Sequence, residues 1–165
     1  MTNDILIQHL SNKFPDLSEW DEQYGLLAFR VPADKNLTVA QYLFNDPEMQ
    51  FQFLTDLTAV HFPEREGEEL CVVAHFHNLV ANVRLRMKVY MPVAKPDTHS
   101  LTSLFAGANW MERETYDFFG VNFIGHPNLT RILNVDEMDY FPMRKEYPME
   151  DPTRIDKDDE MFGRG

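Results

Sequence analysis

The apolar and polar positions divide this chain into a series of helices and strands followed by a stretch without period. Ile5, Leu6, Leu10 and Phe14 recur at three- and four-residue spacing. That spacing predicts a short amphipathic helix over Asp4 to Lys13, with Asn3 or Asp4 as its cap. Leu27, Phe29 and Val31 alternate with Ala28 and Arg30 and are stopped by Pro32, the pattern of a strand. A second helix, capped by Asp34 or Asn36, carries Leu37, Ala40, Leu43 and Phe44 and ends at Asn45-Asp46-Pro47. The segment from Glu48 to Phe62 reads as a helical turn burying Phe51 and Leu54, then a strand over Leu57 to Phe62.

The clearest period of two follows the charged turn Arg65-Glu66-Gly67-Glu68. Ala81, Val83, Leu85, Met87 and Val89 face one way, and Asn82, Arg84, Arg86 and Lys88 the other. With Leu70 to His77 this strand, Ala81 to Met91, forms a predicted hairpin. The first strand is apolar on both faces, which predicts a central place in the sheet. After a linker, Pro92 to Pro96, the positions Leu101, Leu104, Ala108, Met111, Thr115 and Phe118 predict a helix from a Thr98 or Ser100 cap to Gly120. From Arg131 the periodicity is lost, and Asp136 to Gly165 is rich in Asp, Glu, Pro and Met. The expected fold class is α+β: a mainly antiparallel, mixed sheet with helices packed on it over residues 1–133. An extended acidic arm over 134–165 then needs another surface to lie on.

Composition narrows the function. A formal net charge of −12 argues against nucleic-acid binding, because each phosphate contact needs a cation. Cys71 is alone, so no intrachain disulfide forms, and an iron–sulfur cluster normally needs four thiolates. The seven glycines include no G-x-G-x-x-G and no P-loop. No apolar run approaches the roughly 20 residues that span a bilayer, and Met1-Thr2-Asn3-Asp4 does not open a signal peptide.

Several groups could carry chemistry. Glu112, Glu114 and Asp117 form an acidic cluster, but Glu112 and Glu114 lie about 200° apart on a helix and cannot share one ion. Arg113 and Asp117 are four apart and able to pair. Polar satisfaction at a helix end is the stronger reading of this cluster, and catalysis the weaker. His75 and His77 form H-x-H on one strand face, a pattern able to hold a metal once a third ligand joins. The stripe Arg84, Arg86, Lys88 is either a solvated sheet surface or a docking face for an acidic segment, this chain's own tail included. Gly120 to His126-Pro127 predicts a rigid, shaped loop suited to recognition. Arg144-Lys145-Glu146-Tyr147-Pro148 suits either an extended segment pinned on a partner or a solvated loop.

Taken together, Glu112-Arg113-Glu114, Tyr116-Asp117-Phe118-Phe119-Gly120, His126-Pro127, Leu129, Arg131-Ile132-Leu133 and Pro142-Met143-Arg144-Lys145-Glu146-Tyr147-Pro148 resemble the 30-kDa subunit family of respiratory complex I. Phe53-Leu54-Thr55-Asp56-Leu57-Thr58-Ala59-Val60 and the hairpin strand Arg84 to Val89 also fit, so the resemblance covers about residues 20 to 150. Thr130, Met138 and Tyr140-Phe141 depart from the usual residues of the family, which affects the expected path of the arm. The resemblance implies a structural subunit in the peripheral arm of proton-translocating NADH:quinone oxidoreductase. It implies contacts with the complex I quinone-site subunit of the 49-kDa type and with the small cluster-bearing subunit beside it. It implies no catalytic residue or cofactor on this chain; NADH, FMN, iron–sulfur clusters and quinone belong to the rest of the complex. The expected location is the cytoplasmic face of a bacterial inner membrane. The motif residues Glu112, Arg113, Glu114, Tyr116, Asp117, Gly120, His126, Pro127, Arg131, Arg144, Lys145 and Tyr147 are the expected subunit interface. Alternatives are the equivalent subunit of a membrane-bound hydrogenase and a stand-alone metal-dependent enzyme using His75 and His77.

Overall fold

The computed structural model describes residues 2–147; of the expected acidic arm, residues 148–165 lie outside the described residues. Helix α1 (Asn3–Lys13) is followed by strands β1 (Ser18–Gln23) and β2 (Leu26–Arg30), then helix α2 (Asn36–Asn45). Three long strands come next: β3 (Phe53–His61), β4 (Leu70–Asn78) and β5 (Val83–Met91). A short β6 (Asp97–His99), helix α3 (Ala108–Phe119) and a short β7 (Asn122–Ile124) complete the elements.

The main sheet has the order β1-β2-β5-β4-β3. All its pairs are antiparallel except β2 with β5, whose parallel register sets Leu27 beside Leu85 and Phe29 beside Met87. A parallel pair cannot be closed by a hairpin, and α2, β3 and β4 supply the crossover. The fold is thus α+β with a mixed five-stranded sheet, as the periodicity implied. β4 pairs on both sides, as its two-sided apolar pattern required.

One face of the sheet forms the core. Leu6 and Leu10 of α1 and Val39, Ala40 and Leu43 of α2 are buried with Leu27, Phe29, Leu70, Val72, Phe76, Leu85 and Met87. At roughly 25 cal/mol per Å² of apolar surface removed from water, this layer is the main stabilising contribution.

The structure corrects the expected elements in four places. Strand β1 is not predicted by periodicity, because Ser18–Gln23 is polar at nearly every position. It is an edge strand anchored by Trp20, which stacks on Phe29 at 5.3 Å, and turned by Tyr24-Gly25, both at positive φ. Strand β3 begins at Phe53, so no helical turn holds Phe51 and Leu54, although both are buried. β5 starts at Val83, because Ala81 donates its N–H to the Asn78 side chain inside the turn. Helix α3 starts at Ala108 instead of near Thr98 or Ser100. Thr98 lies in β6, which pairs in parallel with β7, and Leu101 to Phe105 is a single turn burying Leu101 and Phe105. One uncontinued turn followed by a true helix mimics the period of a longer helix.

Candidate functional site

Helix α3 packs along edge strand β3, where the Thr115 hydroxyl reaches toward the Leu57 carbonyl and bonds the Met111 carbonyl at 2.8 Å. An α-helix leaves its last four carbonyls without intrahelical partners. Here every one of them is met. Gly120 N–H donates to the Tyr116 carbonyl at 2.8 Å, and Arg131 Nη1 to that of Asp117 at 2.9 Å. Met143 N–H reaches Phe118 at 3.1 Å, and Arg144 Nε reaches Phe119 at 2.8 Å. Three of the four donors come from residues 131–144, so this segment is folded back over the helix end. Two are guanidinium groups placed at the negative pole of the helix.

Asp117 is the centre of this closure. Its carboxylate is fully buried and accepts from the backbone N–H groups of Ile132 (3.1 Å), Leu133 (2.8 Å) and Asn134 (2.9 Å). It also accepts from Asn134 Nδ2 (3.0 Å) and Arg131 Nη1 (2.7 Å). Burial works to raise its pKa. The hydrogen bonds of Asn134 and Leu133 and the Arg131 guanidinium overcome this and hold it well below the ordinary carboxylate range. The other arm of the Arg131 fork donates to the carbonyls of Met138 (2.8 Å) and Tyr140 (3.0 Å).

The expected in-helix pair Arg113–Asp117 does not form. Arg113 instead donates to the Thr130 carbonyl and hydroxyl and to the Arg131 carbonyl, because the returning segment offers acceptors beside it. Thr130, a departure from the family pattern, is thereby part of the closure. Phe141, another departure, lies between the guanidinium groups of Arg131 (5.2 Å) and Arg144 (4.6 Å), with Tyr116 edge-on. Its ring covers Gly120. A Cβ at Gly120 would stand 2.5 Å from the Phe141 ring and 2.6 Å from Arg144, and its φ of +77° is left-handed. Two independent constraints therefore require glycine there.

Glu112 and Glu114 do point apart. Glu112 is fully buried and closes the start of α3: it accepts from Leu101 N–H at 2.6 Å and from the Ser100 hydroxyl at 2.7 Å. Burial pushes its pKa up to about 7 against those two bonds. Glu114 is exposed. His126 donates Nε2–H to the Asn109 carbonyl at 3.1 Å and accepts Asn128 N–H on Nδ1 at 3.0 Å, fixing its tautomer and leaving Pro127 exposed. Lys145 donates its N–H to His61 Nδ1 at 2.9 Å, tying the arm to the end of β3, and Tyr140 packs on Tyr147 at 4.8 Å. The motif residues thus mostly fasten the chain to itself. Outward from this closure face Leu133 (63 % exposed), Val135 (63 %), Met143 (54 %) and Tyr147 (39 %).

Sequence reasoning missed Phe141, Asn134, Ser100 and His61, all of which act through partners distant in the chain; no local period could mark them. His75 and His77 have separate partners. Arg86 Nε donates to His75 Nε2 at 2.8 Å, while His77 Nε2 meets Asn82 Oδ1 at 3.3 Å. Burial and then the Arg86 charge lower the His75 pKa. Among the described residues no three His, Cys, Asp or Glu side chains are placed to share a metal ion. Burial pushes the Cys71 thiol up to about 11, so it is a poor nucleophile.

Among the described residues no helix is long and apolar enough to cross a membrane. Residues 29–153 match the family model described as respiratory-chain NADH dehydrogenase, 30 Kd subunit. A relative from Streptomyces coelicolor, named as the C subunit of NADH-quinone oxidoreductase, is 40 % identical over 125 residues, 76 % of this chain and 50 % of its own length. One of the same name from Mycobacterium ulcerans is 41 % identical over 123 residues, 74 % of this chain and 52 % of its own length. The chain therefore spans about half the length of the curated relatives it matches. Among solved structures, the trypsin-resistant fragment (1–134) of Nqo5 superposes with a TM-score of 0.64 at 28 % identity, over 78 % of this chain and all of that one. A chain of the membrane-bound sulfane sulfur reductase, an archaeal respiratory membrane complex, does so with a TM-score of 0.74 at 28 % identity. That match covers 88 % of this chain and 85 % of the other. The helix-end closure and these matches lead to one conclusion: the chain belongs to the family of respiratory-chain NADH dehydrogenase 30-kDa subunits.

Proposed function

We propose that this chain is an assembly subunit of a complex I-type NADH:quinone oxidoreductase, on the cytoplasmic side of a bacterial membrane. It holds the cluster-bearing and quinone-site subunits in place, so that electrons pass from NADH through the iron–sulfur clusters to quinone. Its own part is geometric, and the cofactors sit on its neighbours. The observation that carries this reading is the helix-end closure. Its charged residues are spent on one another and on backbone carbonyls, with none free for chemistry, and the shape they fix presents Leu133, Val135, Met143 and Tyr147 to the outside. Apolar side chains on a rigidly tied segment are what a partner surface covers.

A second reading is supported by the sulfane sulfur reductase match, which extends over more of this chain than the Nqo5 fragment does. The same scaffold would then serve an equivalent place in another respiratory membrane complex. Affinity purification of the tagged chain from mildly solubilised native membranes, with identification of its companions and an NADH:quinone activity assay, separates the readings. Recovery with a cluster-bearing subunit, a quinone-site subunit and inhibitor-sensitive activity supports the first. Companions without NADH:quinone activity support the second, and recovery of the chain alone contradicts both.

A further inference from the structure

The sheet face opposite the core has two shallow hollows, lined by strands, their turns and Phe62, with no helix among the described residues contributing. Along β5 this face carries Arg84, Arg86 and Lys88, paired in register with His77, His75 and Val73 of β4. Alternate residues on a strand stand roughly 6.7 Å apart, so the three cations form a row. Among the described residues none of them has a carboxylate within 4 Å. Arg86 donates instead to the neutral ring of His75, whose Nδ1 is buried without a partner, 3.8 Å from Asp56. The neighbouring Arg30 on β2, by contrast, is paired with both Glu19 and Glu68. In a chain of net charge −12, an unpaired cationic row is a feature that local acids could easily have neutralised. Beside Lys88 lies a hollow of about 350 Å³ with Val60, Phe62, Val73 and Tyr90 in its lining.

We propose that this open face docks an extended acidic segment of a neighbouring subunit. Its alternate carboxylates face Arg84, Arg86 and Lys88, and one apolar side chain fills the hollow beside Tyr90. An extended segment matches because its side chains repeat at the same spacing as the cations. The occupant comes from another chain, since the described part of this chain's arm is fastened elsewhere. Lys145 is bound to His61, which shares the covered face of β3 with Leu57 and Ala59. The inference rests on the assembly reading above and adds a second contact surface, away from the α3 closure.

The test is a photo-crosslinking side chain at Thr58, on the rim of the hollow, in the tagged full chain in native membranes, with a control at exposed Glu48. The expected result is a link from position 58 to an Asp- and Glu-rich segment of a co-purifying subunit. Its yield falls about tenfold with Arg84→Glu and Lys88→Glu together. The melting temperature of the isolated double variant stays near that of the parent; if it does not, the milder Arg84→Gln and Lys88→Gln pair takes its place, with a smaller fall expected. A link to residues 148–165 of the same chain, a link to a surface without acids, or a yield unmoved by the substitutions overturns the inference. No link from a chain that still co-purifies also overturns it, while the assembly reading stands. Recovery of the chain without any companion overturns both.

Discussion

Two carboxylates of the same helix have opposite protonation chemistry. Asp117 is ionised in a ring of donors, and its folded-state pKa is depressed. Its contribution to stability is therefore present above the ordinary carboxylate range and lost as pH falls through and below it. Glu112 is raised from 4.5 to about 7 by burial. Between those values the folded chain keeps a proton that the unfolded chain has released, so stability falls as pH rises through the window and levels off above it. The size is on the order of 3 kcal/mol. Glu112→Gln should flatten this slope, because a neutral amide still reaches Ser100 and Leu101. Urea unfolding midpoints at intervals from pH 5 to 8 measure it. Arg131→Ala should cost about 3 kcal/mol or more, since a fully buried carboxylate loses its counter-charge. Arg131→Lys should recover little, because one ammonium cannot serve the four acceptors of the fork. The sequence placed both Asp117 and Arg131 in one motif but gave Asp117 the wrong partner. Spacing reveals helix neighbours four apart, whereas the true partner returns from 14 residues away through an aperiodic segment.

At the level of elements, the end of α3 and the arm form one unit. Gly120→Ala forces a left-handed residue and a contact with Phe141. It should destabilise by about 2 kcal/mol or more, read by thermal unfolding. Phe141→Ala should leave the sheet intact yet loosen the arm, so that limited trypsin cuts faster after Arg131 and Arg144 while the melting temperature changes less than for Arg131→Ala. Uniform protection of both sites in the Phe141 variant would contradict the packing described. The strands and helices with a strong period were legible: the buried faces of α1, α2, β4 and β5 are those the apolar spacing marked. Those missed were set by other means. β1 is polar and held by pairing and one Trp–Phe stack, and β6 and β7 are three-residue strands defined only by each other.

For the molecule as a whole, the motif expected to be interface turns out to be largely internal. Glu112, Arg113, Asp117, Gly120, His126, Arg131 and Arg144 build the surface that other residues display. A chain that works by holding neighbours should separate folding from assembly, with different residues governing each. Internal substitutions such as Arg131→Ala should lower both. Outward apolar residues should affect assembly alone, since their side chains contribute little to the chain's own core. The decisive measurement is recovery of companion subunits with a tagged Leu133→Asp, Met143→Asp double variant, beside its melting temperature as an isolated chain. Expected are an unfolding temperature within a few degrees of the parent and a loss of co-purifying subunits of about tenfold or more. Undiminished recovery of companions from a well-folded double variant would contradict the holding role.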